Sequence, residues 1–167
     1  EISCSLVGSE MCIRDSSNIA FANPDVDESR VRECAKRAMA DDFINELSDG
    51  YQTIVGEKGF GLSGGQKQRV SIARAMLKDA PVFVFDDSTS ALDAETERKL
   101  LENLRTYYKE RTILIAAHKM SSVVDCDEII YLSNGKIVER GTFDELMELD
   151  GHFAGVYKTQ MAKQTVA

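Results

Sequence analysis

Two runs of consecutive apolar residues predict the strands of a buried, mostly parallel sheet. The run from Val82 to Phe85 ends in Asp86 and Asp87, and a second run covers Thr112 to Ala116. Unbroken apolar runs of this length are typical of strands that helices cover on both faces. Open α/β sheets place their ligand sites at the carboxyl ends of such strands. The pattern therefore predicts an α/β fold with a site near the two aspartates.

Helical spacing of apolar residues predicts the helices that cover this sheet. Asp27 and Asp93 are suitable N-caps for two of them, and a short helix is expected over about Asp42 to Leu47. Another helix runs from about Gln66 to Lys78. We interpret the stripe of Leu100, Leu101, Leu104 and Tyr108 as core rather than as a cofactor site. Apolar residues also recur at helical spacing at Val31, Cys34, Ala35, Ala38 and Met39, where an amphipathic helix pair that fills a core is one interpretation, and in the pairs Ile72/Met76 and Ala73/Leu77.

The start of one helix carries a further signal, in the stretch LSGGQKQR from Leu62 to Arg69. Ser63 and Gln66 have the spacing of a capping box, in which each side chain accepts from the other residue's backbone N–H. Gly64 and Gly65 take the first two helical positions and leave the orphan N–H groups accessible. Such a helix end suits an anion such as phosphate. Taken alone, Ser-Gly-Gly fits a plain loop before a helix equally well.

The C-terminal part of the chain is predicted to contain a hairpin followed by helices. Asp127 to Leu132 and Lys136 to Glu139 alternate as strands, and an Asn-Gly turn joins them. Thr142 and Glu145 form another capping box, which opens the C-terminal helices. The tail after Lys163, residues 164–167, is expected to fray.

Composition excludes several classes of function. The 167 residues are 43% hydrophobic with a net charge of −8, which indicates a globular domain and argues against a nucleic-acid partner. No apolar run approaches the roughly 18 residues of a transmembrane helix. The four cysteines lack metal-ligand spacing and are expected to be free thiols.

Four motifs in one order resemble the nucleotide-binding domain of ABC transporters. They are LSGGQ as the signature motif, VFVFDD as the Walker B strand, SALD as the D-loop, and His118 as the switch histidine. The resemblance covers about Ser17 to Lys163. It implies a P-loop NTPase-like partial domain, with a helical subdomain over about 17–78 and a core over about 79–163.

The resemblance also implies ATP and Mg²⁺ as cofactors and assigns a role to each motif. Asp86 would hold the metal, while Asp87 and His118 would be catalytic. The residues implied to bind nucleotide are Ser63, Gly64, Gly65, Gln66 and Asp93. Active members of the family have glutamate where this chain has Asp87. The shorter side chain withdraws the carboxylate by about 1 Å, a displacement that can cost on the order of 100-fold in rate.

ABC nucleotide-binding domains pair head to tail, so each ATP lies between the Walker motifs of one and the signature of the other. In this chain the signature motif is intact, whereas Asp87 replaces the catalytic glutamate of the family. This combination predicts the half of a heterodimeric exporter whose own ATP site is degenerate, and a homodimer with two weak sites is the alternative. The segment Thr53 to Gly59 resembles the exporter X-loop, whose Glu57 would meet a transmembrane domain. The predicted location is therefore the cytoplasmic face of the cell membrane, and the chain does not reveal the transported substrate.

Other parts of the family pattern are missing. No G-x-x-x-x-G-K-[ST] loop and no adenine-stacking tyrosine can be found, so this chain alone is expected to bind ATP poorly and to hydrolyse none. Residues 1–16 match neither the expected strand nor a Q-loop. We interpret them as a non-native segment, with a divergent loop as the alternative, and we expect the Walker A region upstream in the parent protein.

Three other classes of function stay open at this point. A non-transport ABC ATPase of DNA repair or chromosome maintenance would need a long heptad insertion and often a basic surface, and neither occurs. A non-hydrolysing regulatory ABC module would dock on a partner through its signature face. An inactive truncated product is the third.

Overall fold

The computed structural model describes residues 3–4, 13–14, 19–20, 25–55 and 61–165, which contain both helices and strands. The chain divides into two compact units, Glu1–Ala116 and Ala117–Ala167. The first contains β1 (Ser3–Cys4), β2 (Ile13–Arg14), α1 (Glu28–Arg37), α2 (Asp41–Glu46), β3 (Ile54–Val55), α3 (Gly64–Lys78), β4 (Val82–Asp86), α4 (Ala94–Tyr107) and β5 (Thr112–Ala116). The second contains β6 (Ile129–Ser133), β7 (Lys136–Gly141), α5 (Phe143–Leu149) and α6 (His152–Thr165).

The central sheet of the first unit is parallel, as predicted. Its strand order is β1-β4-β5, and the register pairs Phe83 with Ile113 and Asp86 with Ala116. β1 pairs in parallel with β4, while β2 and β3 form a small antiparallel pair. No strand was expected within residues 1–16, whereas two strands of two residues each occur there. Whether that segment is native stays a prediction.

Burial of β4 differs between its two faces. Phe83 and Phe85 are buried, whereas Val82 and Val84 are only half-buried. The expectation of a strand buried on both faces was therefore wrong for the part of the chain that the structure describes. The physical reason is that the helices share a core with one face, as the cluster around Phe83 and Phe85 shows.

One continuous core joins the helical segments to the sheet. The apolar stripe of α4 is buried as predicted, and the ring of Tyr108 lies edge-on to Phe83 at 5.2 Å between centroids. Val31 of α1 and Ile72 of α3 belong to the same cluster. A boundary between a helical subdomain and a core was predicted near residue 78, but residues on both sides of it pack in one core. The two compact units of the structure instead divide after Ala116.

The second unit contains the predicted hairpin, which follows a short 3-10 helix at Met120–Ser122. Asn134 and Gly135 both have positive φ, at 50° and 71°, which is the pattern of the type I′ turn that an Asn-Gly pair favours. The capping box of Thr142 and Glu145 at the start of α5 is confirmed. β6 is shifted from the predicted Asp127–Leu132 to Ile129–Ser133, while β7 begins at Lys136 as predicted and continues beyond Glu139 to Gly141.

Helix α6 is capped by a residue from the hairpin. The carboxylate of Glu139 accepts hydrogen bonds from the N–H groups of His152, at 2.5 Å, and Phe153, at 2.9 Å. The helix continues through Thr165, and fraying of the tail after Lys163 stays a prediction. Among the described helices, none combines the length and apolarity that a membrane span requires.

Candidate functional site

Helix α3 begins as the sequence predicts, at Ser63. The hydroxyl of Ser63 accepts from Gln66 N–H at 3.2 Å, and the Gln66 side-chain oxygen accepts from Ser63 N–H at 2.8 Å. Both halves of the capping box are therefore formed. The N–H groups of Gly64 and Gly65 lie in the first turn, which has no intrahelical acceptors, so they are available to an anion.

The two glycines also permit a close approach to the D-loop of the same chain. A Cβ at Gly65 would lie 2.9 Å from the carbonyl oxygen of Ala91, a distance that real Cβ atoms almost never show. A Cβ at Gly64 would lie 3.4 Å from the Ala91 Cβ. Glycine at the helix start thus serves packing as well as access to the N–H groups.

Gln68 joins the same helix to the loop that follows β4. Its side-chain amide donates to the Ser90 hydroxyl at 3.0 Å and to the Asp87 carbonyl oxygen at 3.3 Å. Its side-chain oxygen accepts from Ala91 N–H at 3.0 Å. Both ends of one amide are therefore used to hold the loop from Asp87 to Ala91.

The two strand-end acids have distinct backbone settings. Asp86 is the last residue of β4, and Asp87 follows with φ at 47°, a left-handed conformation that aspartate tolerates better than most residues. The Asp87 N–H donates to Ala116 of β5 at 2.9 Å, and its carbonyl oxygen accepts from the Ser90 hydroxyl at 2.9 Å. These bonds fix the backbone on both sides of Asp87.

Both acid side chains are available to a cation. Asp86 and Asp87 are exposed, and within the described residues neither carboxylate has a hydrogen-bond or ion-pair partner. Carboxylate oxygens together with substrate phosphates are the usual ligands of Mg²⁺. The residues present therefore fit the Mg²⁺ and phosphate groups that the sequence predicts, with Asp86 for the metal and Gly64 and Gly65 for an anion.

Asp93 has a local structural role that was also predicted. Its carboxylate caps α4 by accepting from Thr96 N–H at 2.9 Å. This backbone hydrogen bond, followed by one from the Thr96 side chain, lowers the pKa of Asp93. A contact between Asp93 and nucleotide stays a prediction.

A buried pair supports the loop from the side of α4. The Thr89 hydroxyl donates to the Glu97 carboxylate at 2.6 Å, and both residues are buried. The segment between β4 and α4 is thus held by α4 at Thr89 and by α3 at Ser90 and Ala91.

Arg69 ties the first turns of α3 to the preceding helices. Its guanidinium donates to the Met39 carbonyl oxygen at 2.7 Å and lies 4.7 Å from the ring centre of Phe43. Burial lowers the pKa of Arg69, although arginine stays charged at any working pH. The positive charge adds to that of the helix end.

The start of α3 and the loop after β4 do not include two predicted site residues, His118 and Glu57. His118 belongs to the second unit and is exposed, and its carbonyl oxygen accepts from the Gln160 side chain at 2.8 Å. Its role as the switch histidine stays a prediction. Glu57 lies outside the described residues.

Sequence reasoning missed the contacts of Gln68, Arg69 and Ala91. Gln68 and Arg69 fall within the stretch from Leu62 to Arg69 that was singled out, so their position was visible but their partners were not. The partners of Gln68 are 19 to 23 residues away in sequence. No local pattern predicts such a contact.

Comparison with known proteins gives a consistent result. The family model described as ABC transporter matches residues 7–90. The chain is 48% identical over 145 residues, 87% of its length, to an ATP-dependent lipid A-core flippase of Legionella pneumophila (strain Paris). It is 47% identical over 144 residues, 86% of its length, to the ABC transporter ATP-binding protein YknU of Bacillus subtilis (strain 168).

A solved structure is similar over most of the chain. A bacterial Atm1-family ABC exporter with ATP bound matches with a TM-score of 0.85 and 37% sequence identity. The match covers 93% of this chain and 27% of the exporter. The chain spans about a quarter of the length of the curated relatives, 25% for both proteins named above.

Proposed function

Because the chain belongs to the ABC transporter family and has the α/β fold of an exporter's nucleotide-binding domain, we propose that it forms part of the ATP-binding machinery of an exporter. In this role it presents the start of α3 to an ATP molecule held by a second ABC domain. A transmembrane domain outside this chain would carry the substrate and place the assembly at the cytoplasmic face of the membrane.

The observation that carries the proposal is the helix start at Ser63 to Gln66. The capping box fixes the first turn, while Gly64 and Gly65 expose N–H groups without side chains in front of them. The helix dipole favours negative charge at this position. These features support binding to the terminal phosphates of ATP across a head-to-tail interface.

A second part of the proposed site consists of Asp86, the last residue of β4, and Asp87, which follows it. A Mg²⁺ ion bound together with ATP would supply positive charge that offsets the charge of the phosphates. Asp86 would hold the metal and Asp87 would orient a water molecule. The hydrogen bonds to Ala116 and Ser90 fix the Asp87 backbone, so its shorter side chain cannot advance by moving the main chain. This supports a slow site on this side of the chain.

Association with a second ABC domain tests the signature role. The purified chain is mixed with an intact ABC ATP-binding domain whose catalytic glutamate is replaced by glutamine, and sedimentation velocity is recorded with and without ATP and Mg²⁺. We expect an ATP-dependent heteromer. Gly64→Asp should abolish this association, because the added carboxylate repels the phosphates of ATP. The helix itself should still form, since a negative charge near a helix N-terminus interacts favourably with the helix dipole.

Gly61→Asp is the matched control. Gly61 is exposed three residues before Gly64, and within the described structure nothing lies within 4 Å of the position that a Cβ would take there. The same charge there should leave association intact. An ATP-independent complex, or equal behaviour of the two variants, would contradict the proposed role of the helix start.

We further propose that the assembly is a heterodimer whose partner supplies the working glutamate. Asp87 occupies the position of that glutamate in this chain, which supports one weak and one active site. In a reconstituted complete exporter, replacing the partner's glutamate with glutamine should abolish transport, and Asp87→Glu should restore part of it. Transport that survives loss of the partner's glutamate would overturn the asymmetric arrangement.

A further inference from the structure

The structure assigns Gln68 a positioning role that links the phosphate-facing turn of α3 to the loop that carries Asp87. Gln68 lies one turn after Gly64, and its amide contacts three successive features of that loop: the Asp87 carbonyl, the Ser90 hydroxyl and the Ala91 N–H. The inference rests on the proposed function, because it concerns the same helix start.

The first part of the argument is the contact between Ala91 and the two glycines. Gln68 fixes the N–H of Ala91, and the carbonyl and Cβ of Ala91 lie against Gly65 and Gly64. The residue held by Gln68 therefore supports the turn whose N–H groups face the anion. If Ala91 moved away, the first turn of α3 would lose the surface it packs on.

The second part concerns Asp87. Its N–H is bonded to Ala116 of β5, while its carbonyl oxygen accepts from Gln68 and from Ser90. The left-handed backbone at φ 47° directs the side chain differently from an extended residue. Gln68 thus helps to fix the direction of the Asp87 carboxylate without touching the carboxylate itself.

The chemistry of the side chain suits this role. An amide offers both donors and an acceptor, and Gln68 uses both kinds against the loop. Glutamate at this position would keep the acceptor for Ala91 N–H but lose the donors and place negative charge beside the Asp87 carbonyl. Alanine would lose all three contacts at no cost in helix propensity.

The experiment compares Gln68→Ala and Gln68→Glu with Lys67→Ala. Lys67 is the preceding helical residue and is exposed, and within the described residues its side chain has no hydrogen bond to the loop, so Lys67→Ala is a matched control. The first measurement is amide hydrogen exchange of Ala91 in the free chain. Exchange should accelerate on the order of 10-fold in Gln68→Ala, less in Gln68→Glu, and not at all in Lys67→Ala, since a freed N–H opens more often.

The second measurement is ATP turnover by the chain paired with an intact ABC ATP-binding domain that retains its glutamate. Gln68→Ala should lower kcat about 10-fold while KM for ATP changes less than about twofold, because the capping box still presents the N–H groups but their support is lost. A parallel loss of kcat and of thermal stability, with raised KM, would indicate a merely structural role and would overturn the inference.

Failure of the inference and failure of the proposed function give different results. If the wild-type pair supports turnover and Gln68→Ala behaves like Lys67→Ala, the positioning role is wrong while the proposed function stands. If the wild-type pair shows no ATP-dependent turnover, the proposed function fails. The positioning role of Gln68 is then tested by the hydrogen-exchange measurement alone. An Ala91 amide that exchanges equally fast in wild type and Gln68→Ala then rejects the positioning role.

Discussion

Gly65 and Ala91 approach so closely that a Cβ on Gly65 would lie 2.9 Å from the Ala91 carbonyl oxygen. The signature helix and the D-loop of one chain are therefore in direct backbone contact. Since the contact involves a backbone oxygen, it cannot be relieved by rotating a side chain. The packing restricts this helical position to glycine, independently of any ligand.

This contact predicts a destabilising effect of Gly65→Ala. Alanine should gain about 1 kcal/mol in helix propensity, but overpacking against a backbone atom costs about 1–3 kcal/mol. The free energy of unfolding in urea should therefore fall. Gly61→Ala, at an exposed position where no described residue lies within 4 Å of an added Cβ, should change it by less than about 0.5 kcal/mol. A stabilised Gly65→Ala would show that the two segments are further apart.

The left-handed backbone of Asp87 makes a second prediction. Asp87→Asn should fold with nearly unchanged stability, because asparagine accepts positive φ as readily as aspartate. Asp87→Val should lose about 1–2 kcal/mol, since a β-branched side chain clashes in this conformation. Urea unfolding of the two variants measures the difference. Equal stability would mean that residue 87 is not left-handed in solution.

The cap of α6 predicts a local effect in the second unit. Glu139 is buried and accepts from two N–H groups of the first helical turn. Glu139→Ala should leave both unsatisfied, at a cost of about 1–2 kcal/mol. Hydrogen exchange of the Phe153 amide should accelerate accordingly. Glu148→Ala removes an exposed glutamate of α5 and should leave this amide unchanged.

The cap at Asp93 predicts a dependence of stability on pH. Hydrogen bonds from Thr96 place the pKa of Asp93 below that of an unfolded aspartate. A lowered folded-state pKa gives stability that is present above the unfolded pKa and is lost as pH falls through the folded one. Asp93→Asn keeps a cap that does not titrate. Urea unfolding should therefore find wild type at least as stable as Asp93→Asn at about pH 7, and the difference should shrink or reverse by about pH 3. A difference that is constant with pH would contradict this assignment.

The sequence by itself determined the elements that local hydrogen bonds and local burial define. The capping boxes at Ser63 and Thr142, the caps at Asp27 and Asp93, and the Asn-Gly turn were all predicted and found. Each depends on residues close to one another in the chain. The strand Thr112–Ala116 was predicted to the residue because its apolar run has clear ends. The motifs in LSGGQ, VFVFDD and SALD pointed to the family for the same reason, since each is a short continuous stretch.

Only the tertiary structure decided how these pieces are joined. The bonds from Gln68 to the loop after β4, the approach of Gly65 to Ala91, and the cap that Glu139 gives to α6 all connect residues well separated in the chain. The uneven burial of β4 likewise depends on which face the helices cover. Such contacts form because packing brings distant backbone groups together, and the hydrogen bonds that those groups must then satisfy leave no periodic trace in the sequence.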